Sequence, residues 1–530
     1  MVRPSGGRNP TYDVVVIGGG HNGLTAAAYL ARGGAKVVVL ERRPFVGGAC
    51  ITEEPWPGYR INTYAYLAGM LSAKVIDELG LAQLGYRTIP HDPEGFLPFP
   101  DGRSITLWTS TARTQEEIAR FSKRDAAAYP RYIEYWDEIL HLLEPILGGP
   151  PPSLSQLAEQ FRGPPYERLL RDLVLRSAED LLSEWFESEE LKAALGFSAC
   201  VGAFTTPRRP GTAYVLAHNS VTELGGRAGA WGFAIGGMGR TTEALARAAR
   251  GFGAEIRTSV GVRSLWVQGG RIAGVETEEG HRIEARAVAS AVDIKRTLLD
   301  LAPADSVPEE VLRQVRSFKT YSTTLKFNAA LRRLPRFRAQ PAVPGPHHQA
   351  SVMIGPSLDY LDRAYTMASA GQLSDPPFAE ILFQSAADPS VAPVGHHTMT
   401  CSVKYAPREL VGASWSDRRD VAAELVLTTL EEYAPDIREV VEHWQVVTPE
   451  DIETTLGMTG GSCFHGDLTP DQMFSLRPFP GASGYRLPLP GLYLCGSSAH
   501  PGGGVTGVPG RNAAQVIMAD LHRAGDRAPG

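Results

Sequence analysis

Residues 13–23, DVVVIGGGHNG, have the form of a buried strand that breaks into a glycine turn and then a helix. The apolar run Asp13–Ile17 supplies the strand. Gly18, Gly20 and Gly23 form the pattern GxGxxG, and the alanine-rich stretch Leu24–Arg32 reads as the helix. Each glycine serves a different need. Gly18 allows the tight turn, Gly20 lets backbone approach a pyrophosphate, and Gly23 lets the helix pack closely on the strand. The free amides and positive dipole end at the helix N-terminus favour phosphate. The next segment, KVVVLE at 36–41, is an unbroken β-branched run typical of a strand covered on both faces. It ends in Glu41, 18 residues past Gly23, where a carboxylate can accept from ribose hydroxyls. A second glycine cluster lies near the other end of the chain. There GLYLCG at 491–496 precedes PGGGVTGVPG at 501–510. A chain with a phosphate turn at the front and a matching loop at the back is constrained to an α/β fold in which its two ends meet on one ligand.

The ligand expected is FAD. After the second strand, ERRPFVGG places Gly47 and Gly48 six and seven residues beyond Glu41, an extended form suited to FAD rather than NAD. The turn residues Gly18, Gly20, Asn22 and Gly23, with Glu41, Arg42, Gly47 and Gly48, form the expected adenosine diphosphate half of the site. At the back, LYLC reads as a strand entering Gly496. Gly503, Gly504 and Val505 then lead into a helix from about Val505 to Leu521. That helix N-terminus would face the pyrimidine edge of the flavin, where negative charge collects on reduction.

These motifs resemble the flavin-dependent phytoene desaturase family, which includes carotene desaturases, carotenoid isomerases and retinol saturase. The likeness runs through VVVIGGGHNGL, LERRPFVGGACITEE, GGMGRTTEALARA, DPSVAPVGHHTMT, FHGDLTPDQMFSLRP and LYLCGSSAHPGGGVTGVPGRNAA. The resemblance implies a Rossmann-like FAD-binding domain of the glutathione-reductase/amine-oxidase type, with an interleaved α+β substrate domain and a helical cap. It also implies that backbone near Val262 contacts adenine. Its activity would be hydride transfer between flavin and C–C or C=C bonds of an apolar, polyene or isoprenoid-like small molecule. A flavin-dependent non-redox isomerase, or an FAD-bound binding or scaffold protein, are the alternatives. One departure stands out: amine oxidases and carotene desaturases of this superfamily usually carry Arg immediately after the double glycine, and here Ala49 and Cys50 follow it. Pyrophosphate neutralisation therefore falls to backbone amides and to Arg42 or Arg43, and amine oxidation is disfavoured.

The expected organisation is an FAD-binding part at 11–108, a helical cap at 109–236, and a second FAD-binding part at 237–300. A substrate domain at 301–490 and a C-terminal FAD-binding part at 491–524 complete the chain. The motif AIGGMGRTTEALARA at 234–248 mimics a second nucleotide turn, but AEIRTSV after it offers Arg257 and no ribose carboxylate. It is assigned to an interdomain return and not to an NAD(P) domain. Electrons then leave to an acceptor that the sequence does not specify, with quinone or O2 both open.

Catalytic side chains are less marked. His500, in SSAHPGGG, is nearest the flavin by motif, and His465, in FHGDLTP, is expected to line the cavity. The adjacent His396 and His397 would point to opposite faces of a strand, so no metal is expected. Cysteines at 50, 200, 401, 463 and 495 form no CxxC, which leaves dithiol chemistry unsupported. A net charge of −6 argues against nucleic acid as a partner. No stretch approaches the roughly 18 apolar residues of a membrane span, and MVRPSGGRNP lacks the apolar core of a secretory signal. The expectation is a cytoplasmic protein with peripheral membrane contact through helices of 110–225. Tyr132, Tyr135, Trp136, Leu140 and Leu143 would supply the apolar side, with an interdomain core as the alternative use of the same residues.

Overall fold

A computed structural model describes residues 12–160 and 163–525. The segment MVRPSGGRNP at 1–10 lies outside them. The strand Tyr12–Ile17 pairs in parallel with Val37–Leu40 on one side and with Arg282–Ser290 on the other. Glu255–Arg257 extends the sheet beyond Val37–Leu40, and Leu492–Leu494 extends it beyond Arg282–Ser290, all in parallel. Every residue of Val37–Leu40 is buried, as an unbroken apolar run in a parallel sheet requires. Arg282–Ser290 has two partners in succession. Its first residues pair antiparallel with Arg271–Thr277, which pairs in turn with Val262–Gln268, and its last three pair with Leu492–Leu494.

The helix His21–Arg32 starts three residues before the alanine-rich stretch, directly from Gly20. Its partner at the back is Val508–Gly525, and a Cβ at Gly510 would meet the Asn22 carbonyl oxygen at 2.2 Å. That back helix begins three residues later than expected. Gly504 and Gly507 have φ of +101° and +71°, which no right-handed helix accepts, so Val505 lies in the loop. The Thr506 hydroxyl accepts the Val508 N–H at 3.2 Å.

A second, seven-stranded sheet runs in the order Val441–Val447, Leu325–Leu331, His397–Lys404, Phe378–Leu382, Ser351–Ile354, Gly95–Pro98, Ser104–Leu107. The last two strands form the hairpin around the PDG turn, expected within the front nucleotide part. Instead Gly95–Phe96 pair in parallel with Ser351–Val352, because a strand of four buried residues carries no local mark of which sheet it will join. One face of this sheet packs on the helix Trp415–Tyr433, with Val352, Ile354, Ala379 and Ile381 in that core. The opposite face looks toward the helical layer. There the long helix Lys123–Gly148 buries Tyr129, Tyr132, Trp136, Ile139, Leu143 and Leu147, one stripe at helical spacing. Tyr132, Trp136 and Leu143 are thus interior, and Tyr135 donates its hydroxyl to Asp172, so this stripe is not a membrane-facing surface. Among the described residues, no helix is long and apolar enough to cross a membrane.

Candidate functional site

A cavity of about 230 Å³ follows the glycine turns. At one end lie Glu41, Arg42, Val260, Val262, Glu278 and Arg296; Gly18, Gly20, Asn22, Gly23 and Gly48 line its middle, and Gly504 and Val505 close it. The turn is built almost entirely from backbone. Gly18 has φ +95°, and a Cβ at Gly23 would sit 2.1 Å from the Gly18 carbonyl oxygen. A Cβ at Gly20 would meet nothing closer than the Gly48 Cα at 3.9 Å, so Gly20 opens directly onto the cavity. The second glycine pair backs the first: the Gly47 N–H donates to the Gly19 carbonyl at 2.8 Å. Glu41 is 7% exposed and accepts the N–H groups of Gly19 and Arg43 at 2.8 and 2.9 Å. It therefore holds the turn while keeping further lone pairs for a ligand.

Several expected residues take other roles. Gly47 lies behind the cavity wall, where a Cβ would strike Ile51 at 2.4 Å. A Cβ at Gly496 would come within 2.5 Å of Ala291 backbone, and one at Gly503 within 2.0 Å of the Phe464 ring. These three shape the loops, and Gly48, Gly504 and Val505 meet the cavity. Arg42 stays on the cavity lining at the Glu41 end and donates to the carbonyls of Thr454 and Thr455, and Arg43 donates to the Gly48 carbonyl. His500 is wholly buried outside the cavity. Its Nε2 lies 2.9 Å from the Ile146 carbonyl oxygen, and burial lowers its pKa to about 4. The ring is thus anchored in the helical layer, away from the expected flavin position.

His465 does line the cavity, and His21, overlooked in the sequence, joins it from the first residue of the front helix. Burial holds the imidazoles of both below the usual range, His21 at about 4. Neutral rings at this place can accept or donate one hydrogen bond without bringing a charge. The strand begins at His397, so His396 precedes it, and the two rings have different partners: His396 lies 3.7 Å from Glu442, and His397 Nδ1 is 3.0 Å from the Ser385 hydroxyl.

A second cavity of about 640 Å³ lies between the second sheet and the helical layer. Ser351, Met353 and Glu380 form its floor, and Tyr129, Tyr132, Trp136 and Leu140 line the helical side. Ala65, Tyr66, Phe464, Gly504 and Val505 border both cavities, so a thin partition separates them. Arg477 holds one side of that partition. Wholly buried, it donates to the carbonyls of Phe464, Gly466, Asp467, Gln472 and Ser497, joining the Phe464 loop to the back segment. Lys326, 1% exposed, sits next to the partition with its ammonium 3.5 Å from the Tyr66 ring centroid. Neither residue stands out in the sequence, although Lys326 alternates with apolar Leu325 and Phe327 along a strand buried on both faces.

The front of the chain, residues 16–70, matches the NAD(P)-binding Rossmann-like domain. Over 550 aligned residues the chain is 37% identical to pyridine nucleotide-disulfide oxidoreductase domain-containing protein 2 of Rattus norvegicus, covering 97% of this chain and 94% of that one. The chain belongs to that family. A limonene dehydrogenase subunit of Castellaniella defragrans is 29% identical, covering 96% of this chain and 95% of that one. The lycopene-forming phytoene desaturase of Pseudescherichia vulneris is 26% identical, with 96% and 99% covered. The fold is shared with cyclohexylamine oxidase of Brevibacterium oxydans, at a TM-score of 0.58 and 16% identity over 97% of this chain and 100% of that one. The chain is therefore an oxidoreductase family member on an amine-oxidase-type α/β fold. The family's name does not carry over to its cysteines, all five of which are free. Burial pushes the thiols of Cys50, Cys200, Cys401 and Cys495 up to about 12, far from the thiolate that dithiol exchange needs.

Proposed function

We propose that the protein is an FAD-dependent oxidoreductase that desaturates a CH–CH unit of a largely apolar, isoprenoid-like molecule, one carbon giving hydride to the cofactor and its neighbour losing a proton to solvent as the C=C bond forms. The observation that carries this is the shared partition: a cavity built from dinucleotide-binding turns abuts a larger one with aromatic walls, separated by little more than Tyr66, Phe464 and Val505. The narrower cavity has the donor set FAD requires. Glu41 offers acceptors for ribose, Val262 an apolar edge for adenine, and the Gly20–Asn22 backbone amides for pyrophosphate. Gly504 and Val505 bring the back loop to the partition. When bound, FAD would supply the hydride acceptor. The chain's own part is to hold the substrate carbon against the partition and exclude water with Tyr129, Tyr132 and Trp136. The names of the limonene dehydrogenase and phytoene desaturase relatives, both similar to this chain over almost its whole length, support an unsaturated hydrocarbon skeleton as the substrate class.

The test begins with purified protein incubated with FAD and desalted, which should retain stoichiometric flavin. Anaerobic addition of limonene or a longer polyene should then bleach the flavin's visible band. Protein that stays colourless would refute the cofactor. Retained flavin that no unsaturated hydrocarbon or terpenoid bleaches would refute the reaction class.

A further inference from the structure

At the partition the second sheet carries a row of polar side chains that an all-hydrocarbon substrate would leave unused. Cross-strand register places Met353 opposite Glu380, Glu380 opposite Ser402, and Ser402 opposite Lys326. All four point to one face, with Glu380 and Lys326 two strands apart, about 10 Å at ordinary strand spacing. Tyr66 bridges the row. Its hydroxyl donates to Glu380 Oε2 at 2.7 Å, and its ring lies against the Lys326 ammonium. The Ser351 hydroxyl donates to the other Glu380 oxygen. Glu380 lines the larger cavity and Tyr66 borders both, so the carboxylate is presented beside the expected hydride-transfer position.

The hydrogen bonding of this carboxylate is incomplete. An ionised carboxylate has about four acceptor positions, and protein donors fill two of them. Among the described residues no cation lies within ion-pair distance of Glu380, whereas Glu94, which also lines this cavity, is paired with Arg227 at 3.3 Å. Lys326 is no substitute. Its nitrogen has no hydrogen-bond partner, and burial lowers its pKa to about 7, so above that pH it adds little positive charge. A hydrocarbon pressed onto Glu380 would strip water from the open lone pairs and return nothing, a loss typical of burying a charged acceptor unpaired.

We infer that the substrate is amphipathic: an apolar body lies among Tyr129, Tyr132 and Trp136, and a hydrogen-bond-donating group, hydroxyl or ammonium, seats on Glu380 beside Tyr66. This inference rests on the reading of the larger cavity as the substrate site. Glu380 is then the residue that selects a functionalised terpenoid over its parent hydrocarbon and sets which carbon meets the partition, with Tyr66 as its positioning residue.

Three ten-carbon probes of matched shape provide the test: geraniol, geranylamine and β-myrcene, titrated into FAD-loaded protein by calorimetry with no turnover required. The alcohol, the amine or both should bind at least about tenfold tighter than myrcene, the usual margin for a hydrogen bond to a charged acceptor. The conservative Glu380→Gln variant should bring the preferred probe to within a few-fold of myrcene, by weakening the donor probe, tightening myrcene or both, while leaving the flavin spectrum unchanged. Myrcene binding as tightly as both donors, or a preference that survives Glu380→Gln, would overturn the inference and leave the cavity assignment intact. Failure of all three to bind would remove the cavity assignment, and the inference with it. Because the wild-type ranking of probes is decisive alone, instability of the variant would not blunt the test.

Discussion

The two cavities meet at one partition and are built in opposite ways. The narrower one follows backbone turns: Gly18, Gly23 and Gly48 set the path of the chain along its middle, and Gly20 leaves main chain open to it. The wider one is made of side chains brought together from a sheet face and a helix, with Glu380 and Met353 separated from Tyr132 and Trp136 by hundreds of residues. A backbone site tolerates very few residues at each position and so leaves a pattern in the sequence. A side-chain site depends on packing and leaves almost none.

The sharpest way to break this comparison is Gly20→Val. A Cβ at this position meets only the Gly48 Cα, at 3.9 Å, so the fold should survive while the added methyls fill the pyrophosphate approach. Flavin retention should fall by at least about a hundredfold, with thermal stability of the apo-protein changed by less than about 1 kcal/mol. Loss of soluble protein instead would show that the turn serves the fold as much as the cofactor. Gly23→Ala is its counterpart. With the Gly18 oxygen 2.1 Å away, it should destabilise the chain by about 3 kcal/mol through separation of helix and strand, measurable as a lowered denaturation midpoint.

On the side-chain cavity, Trp136→Ala should cost about 3 kcal/mol of stability through the void it leaves, since the ring is 8% exposed. Flavin content per folded molecule should remain at the wild-type level, and a colourless variant would show that the two sites are not separable. Lys326→Met probes the same region through pH. The folded-state pKa of Lys326 is depressed, to about 7, so between that value and the unfolded value near 10.5 the unfolded chain binds more protons, and wild-type stability rises with pH. The stability of the variant relative to wild type should therefore be greater at pH 6.5 than at pH 10, by on the order of 4 kcal/mol across that interval. A pH-independent gap would mean that Lys326 stays charged. The smallest expected effect is Asn22→Ala, which removes the 3.0 Å bond from the front helix to the Ser497 hydroxyl and should weaken flavin affinity only several-fold.

Legibility in the sequence follows the same division. The parallel sheet strands, Glu41 and the turn glycines are readable because local chain geometry dictates residue type, Val262 enters only through the family resemblance, and the structure places Glu41, Gly18, Gly20, Gly23 and Val262 on one cavity. The back helix starts one turn later than its sequence suggests, because the glycines before it serve positive φ as well as closeness to a ligand. His500 is near the glycine loop in sequence, but the chain turns its ring into the helical layer instead. The Gly95–Leu107 hairpin joins a strand some 250 residues later, an address no local pattern records. Lys326, Tyr66 and Glu380 meet only through the register of one sheet and a loop lying across it. An isolated lysine in LKFNAAL or glutamate in FAEIL gives no hint of that.

The strand Arg282–Ser290, with its change of partner halfway along, has a bearing on biogenesis. Its last residues pair with Leu492–Leu494, and the loop that follows supplies Gly504 and Val505 to a cavity begun by Gly18. A ribosome-bound chain can assemble the front turn early, but it offers only an open half-groove until nearly the whole polypeptide has emerged. A chain cut short before residue 492 would lack both a sheet strand and one end of the groove.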